Sequence, residues 1–97
     1  MSSSDVMVGL HQKALTLLQE DADHIEKLIQ VQMESLTNRR CPLYEEVLDT
    51  RMYGLSREIE FATRLGLITE ESGRNVLSEL ERKLAQLYEA LAKTRDE

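Results

Sequence analysis

Apolar side chains recur every three to four residues along most of the chain, and the breaks in that rhythm divide it into three helical segments. Leu10, Ala14, Leu17, Leu18, Ile25, Leu28, Val31 and Leu36 keep helical spacing, with Asp21 as a polar interruption. They predict a first helix over about 10–37, on the order of 40 Å long. A Ser-rich lead over 1–8, closed by Gly9, is expected to fray. The opposite face, Glu20, Asp23, Glu26, Lys27, Gln30 and Glu34, reads as solvated surface. Thr37 to Arg40 breaks the pattern. The residue before Pro42 is biased away from helix, so Cys41 stands at the entrance of a second helix over 42–65.

Pro42 suits a first helical position, Glu45 and Glu46 complement the helix dipole, and Gly66 suits a left-handed stop. Apolar residues of this helix fall into two stripes. Tyr44, Leu48, Met52, Leu55, Ile59 and Ala62 make the first; Leu43, Val47, Gly54, Phe61 and Leu65 make the second. Two stripes imply a central helix buried on more than one side, against its neighbours and a second subunit. The remaining face carries Glu45, Asp49, Ser56 and Glu60, flanked by Glu46, Tyr53, Arg57 and Arg64. Thr69, followed by Glu70 and Glu71, is a helix start, and the third helix runs over 69–94. Leu77, Leu80, Leu84, Leu87 and Leu91 form a narrow seam, widened by Val76 and Tyr88.

Two short connections between helices of similar length require antiparallel neighbours. The fold class is therefore all-α, an up-down-up three-helix arrangement in a single domain. Scarce Gly and Pro, 4 and 1 among 97 residues, agree. A chain this short buries a modest core, so long helices gain from forming a homodimer. A net charge of −6 opposes direct nucleic-acid binding. One Cys makes no internal disulfide, and neither a signal peptide nor a spanning segment is seen; the expectation is a soluble cytoplasmic protein.

Chemistry concentrates on the second helix. Glu45 and Asp49 share a face, with Cys41 one turn below, and oxygen with sulfur donors suits Fe(II) or Zn(II). Since four ligands close a site, another helix or subunit would have to contribute; the ordinary reading is a helix start and a solvated face. Cys41 is either a reactive or ligating thiol or a small buried cap. Asp21 and His24 are spaced like half of a carboxylate-bridged di-iron site, but no second copy of the motif exists, so His24 reads as a surface or partly packed residue. Tyr53 is an interface anchor or a ring packed on a neighbouring helix. Arg51 and Glu58, seven apart, pair with each other or reach across a subunit boundary. No acid, base and nucleophile converge, so no enzyme is expected.

The run Cys41 to Ile68, CPLYEEVLDTRMYGLSREIEFATRLGLI, resembles the signature of the YlaN family of small cytoplasmic proteins of Gram-positive bacteria. KALTLLQEDAD, LIQVQMESLT and LSELERKLAQLYEA extend the resemblance from about His11 to Leu91. The chain departs from the family pattern at Arg51 and Tyr53. The resemblance implies an all-α, dimeric, non-enzymatic protein of iron homeostasis that binds Fe(II), associates with the ferric uptake regulator and relieves its repression. Carried over by position, the resemblance points to Cys41, Tyr44, Glu45, Glu46, Asp49, Tyr53 and Arg57 without dividing them; by side-chain chemistry and face, Tyr44, Glu46, Asp49, Tyr53 and Arg57 are the partner-binding candidates, and Cys41, Glu45 and Asp49 the metal candidates. Two other roles stand beside regulation: supplying Fe(II) to other proteins, and a structural interaction affecting cell shape.

Overall fold

In the computed structural model the described residues are 3–34 and 45–95, with side chains over 6–34 and 46–93. They form three α-helices: α1 over Ser3–Glu34, α2 over Glu45–Arg64 and α3 over Glu70–Arg95. No strand occurs among the described residues. The all-α, three-helix expectation therefore holds. Leu43 and Tyr44 of the expected second helix lie outside the described residues.

The first helix differs at its start, because α1 begins at Ser3 and runs through the stretch expected to fray. Gly9 does not end it. One Gly costs a helix about 1 kcal/mol, too little to break a run whose other residues are helix-compatible.

The centre of the fold also differs. α1, not α2, is the helix that packs on both others, while α2 and α3 meet over a shorter stretch. Its buried line is Leu18, Ala22, Ile25, Ile29 and Gln32. Leu10, Leu17 and Val31, which set the predicted stripe, are exposed on its flank. On α2 the first stripe is buried at Leu48, Leu55, Ile59 and Ala62, with Met52 packed against it. The second stripe is not: Val47, Phe61 and Leu65 are exposed, so α2 buries one side only. The α3 seam behaves as expected, with Val76, Leu80, Leu87 and Leu91 buried and Leu77, Leu84 and Tyr88 packed on them.

Shared cavities give the directions. Asp21, His24 and Ile25 line one with Arg51, Gly54, Leu55 and Glu58, and Leu28, Val31 and Gln32 line another with Val47 and Leu48, so α1 and α2 run antiparallel. Leu15 to Glu26 face Ser72 to Leu80, so α3 runs parallel to α1, and the Lys83 ammonium bonds the Glu26 carboxylate across that seam.

The turn between α2 and α3 is built from backbone chemistry. Gly66 takes φ +75°, Leu67 N–H donates to Ala62 C=O at 2.8 Å and Gly66 N–H to Thr63 C=O at 3.0 Å, the paired bonds that close a helix on a left-handed residue. Thr69 then caps α3: its Oγ1 accepts from Ser72 N–H at 3.0 Å. Glu70 and Glu71 in the first turn suit the positive end of the dipole.

Candidate functional site: the outer face of α2

With Leu48, Leu55, Ile59 and Ala62 turned inward, the periodicity of α2 forces Glu46, Asp49, Tyr53, Arg57 and Glu60 outward as one strip. Glu46 and Asp49 lie toward the helix start, and Glu60 toward its end. Arg57 and Arg64 lie toward its end. Tyr53 sits at the middle, 67% exposed, so its ring is not packed on a neighbouring helix. A tyrosine ring left this open presents a rigid apolar body with a polar tip, the side-chain type enriched at protein interfaces.

Local bonds hold the strip in place. Asp49 Oδ1 accepts a hydrogen bond from the Tyr88 hydroxyl at 2.7 Å, tying the acidic part of α2 to α3. Arg57 donates to Glu60 Oε2 at 2.8 Å, an exposed pair one turn apart and hence worth little to stability. Ser56 Oγ donates to the Tyr53 carbonyl at 2.7 Å.

Among the partner-binding candidates, Glu46, Asp49, Tyr53 and Arg57 share this strip, and Tyr44 lies outside the described residues. Of the metal candidates, Cys41 lies outside them, as does the side chain of Glu45, the first residue of α2. Asp49 is the one whose side chain is described, and its Oδ1 accepts the Tyr88 hydroxyl. Among the described residues no three His, Cys, Asp or Glu side chains come together as a metal site.

The structure assembles a second polar cluster that periodicity alone did not. Asp21 and His24 of α1 face Arg51 and Glu58 of α2 around a cavity of about 220 Å³. Burial first, then a hydrogen bond that the protonated Glu58 carboxyl donates to the Asp21 carboxylate, and the Asp21 charge, push Glu58 above its usual range. The signal was present in the sequence as two polar interruptions, Asp21 on α1 and the Arg51–Glu58 gap on α2. Only the antiparallel register shows that they meet.

No helix among the described residues is long and apolar enough to cross a membrane. The family described as protein of unknown function (DUF1507) matches residues 9–93. The chain is 68% identical over 80 residues to a UPF0358 protein of Brevibacillus brevis, covering 82% of this chain and 86% of that one. It is 62% identical over 88 residues to a UPF0358 protein of Halalkalibacterium halodurans, with 91% and 95% covered. A UPF0358 protein of Bacillus licheniformis is 59% identical over 91 residues, with 94% and 98% covered.

Proposed function

The chain belongs to the DUF1507 family, and from that premise we propose that it is a non-enzymatic, cytoplasmic regulatory protein that acts by docking the outer face of α2 on another protein. The observation that carries this reading is Tyr53, open to solvent between the carboxylates of Glu46 and Asp49 and the Arg57 guanidinium. The resemblance of the Cys41–Ile68 run to the YlaN family names the partner as the ferric uptake regulator, and the role as relief of its repression in iron homeostasis. Electrostatics supports the pairing. A protein of net charge −6 is repelled by DNA but attracted to the basic surface with which a regulator grips DNA, so it competes with DNA for that surface. Fe(II) binding by this chain, with Cys41, Glu45 and Asp49 as the candidate ligands, belongs to the same proposal.

The test is calorimetric titration of the purified protein into its host's ferric uptake regulator under anaerobic conditions, with and without Fe(II). Tyr53→Ala is expected to weaken binding tenfold or more, as removal of a central aromatic anchor does. Tyr88→Phe removes the bond that positions Asp49 but keeps every side chain of the strip, and is expected to weaken binding less than Tyr53→Ala does. Unchanged affinity in Tyr53→Ala would place the interface elsewhere. Absence of any heat with the parent chain, in either iron condition, would remove the regulator as the partner.

A further inference from the structure

The buried line of α1 ends on a polar residue. Leu18, Ala22, Ile25 and Ile29 are apolar, and the next position on the same side, Gln32, is a carboxamide only 6% exposed. An apolar side chain there would extend the core without desolvating a polar group, whereas a buried amide left without a partner costs free energy. No hydrogen bond to the Gln32 side chain forms among the described residues. Nor does any side-chain polar atom sealed from solvent among them lack a partner, so the amide is reached through the cavity that it lines.

That cavity, of about 210 Å³, lies between the end of α1 and the start of α2, and Leu28, Val31, Val47 and Leu48 line it with Gln32. Val31 and Val47, both exposed, stand at its rim, and the fully buried Leu48 is its floor. An apolar cavity of ~150 Å³ is room enough for one benzene ring. Water fits it poorly. A buried water needs ~2–4 polar partners, and Gln32 is the only polar side chain among the described lining residues. None of those residues is charged, so an ionic ligand would give up its hydration without a counter-charge. Apolar walls with one polar group to fix orientation are the make-up of a small-molecule site.

We propose that this cavity binds a small neutral molecule with a ring-sized apolar body and a single hydroxyl, of the phenol class. The body fills the space among Leu28, Val31, Val47 and Leu48, and the hydroxyl meets the Gln32 amide. A hydroxyl donates to the amide oxygen or accepts from the amide nitrogen, so it pairs with Gln32 in either orientation of the amide, which a carbonyl group does not. Bound there, the ligand touches both helices and stabilises the fold by mass action. The site is distinct from the Tyr53 strip, and its test needs no regulator.

The test is an NMR titration of the full chain with p-cresol, with toluene, which has the same body without the hydroxyl, and with p-toluate, which carries a carboxylate instead. p-Cresol is expected to bind saturably with a Kd on the order of 1 mM, the range for a ligand of about eight non-hydrogen atoms. It should shift the methyl signals of Leu28, Val31, Val47 and Leu48 and the side-chain amide of Gln32, and p-toluate should shift none of them. In Gln32→Leu the preference for p-cresol over toluene should fall about fivefold, the worth of one neutral hydrogen bond. Val47→Trp, a larger ring at the exposed rim, should weaken p-cresol binding at least tenfold while helical circular dichroism is kept. Should Gln32→Leu lose its helices, Gln32→Met, which keeps the unbranched shape, takes its place with the same expected loss of preference. No saturable shift of these methyls at roughly 10 mM p-cresol, tenfold above that Kd, would overturn the proposal. So would shifts of equal size at Leu17 and Phe61, exposed apolar positions away from the cavity, or an unchanged preference for p-cresol in the Gln32 variant.

Discussion

A single missing side chain sets how α2 and α3 approach each other. A Cβ built on Gly73 would stand 2.5 Å from Ile59 Cγ2 and 3.3 Å from Ile68 Cδ1, and the first of these methyls belongs to a buried β-branched residue that cannot swing away. Replacing a helical Gly by Ala ordinarily adds about 1 kcal/mol of stability, whereas forcing a methyl into a packed crossing costs ~1–3 kcal/mol. The second effect wins. Gly73→Ala is therefore expected to lower the unfolding free energy in urea by about 1 kcal/mol, while Gly54→Ala, with nothing within 4 Å of its built Cβ, should raise it. A gain at both positions would show that the two helices part freely at this crossing. Gly66 was legible in the sequence as a helix stop, because a left-handed turn has a fixed chemistry. Gly73 was not, since a Gly inside a helical rhythm reveals its reason only when the facing helix is known. The acidic strip with Tyr53 was legible as a face of α2; that Asp49 is anchored by Tyr88 of α3 was not, because the bond joins residues far apart in the chain.

Between elements, the seam of α1 and α2 carries a titration. The folded chain holds a proton on Glu58 to higher pH than the unfolded chain does, through burial and the facing Asp21, with His24 and Arg51 around the same cavity. Stability from this group is thus fully present below the unfolded carboxyl range and is lost as pH rises through the folded value. Glu58→Gln keeps the hydrogen-bonding shape without the charge. It should raise the melting temperature at pH 7 by about 1–2 °C, a figure reduced for solvent screening, and by less at pH 4. Equal gains in melts at both pH values would mean that ionisation at the seam has no part. Helix bounds were legible where turn chemistry marks them, at Gly66 and Thr69, and were not at the start of α1, where a lone Gly and several Ser suggested fraying.

For the whole molecule, fold class and helix order followed from periodicity, but the central helix did not. Both α1 and α2 offer two apolar flanks, and hydrophobicity alone does not tell a flank that meets a neighbour from one left in water. Ala22 decides the matter: 2% exposed in the middle of α1, it leaves room for the other two helices to close on one axis. Ala22→Leu is expected to cost ~1–3 kcal/mol and to speed amide exchange in α2 and α3 together. Faster exchange confined to one of them would mean that α1 is not shared. The position of α1 has a further consequence for how the protein is made. Its largest partner surface is α3, and the Glu26–Lys83 bond spans 57 positions of sequence. As the chain leaves the ribosome, α1 and α2 can form an early hairpin, yet Leu18, Ala22 and Ile29 wait for the last helix before their shelter is complete. A nascent chain stalled before α3 would display that apolar line to chaperones and proteases, so completion of the C-terminal helix is the step that commits the molecule to its fold.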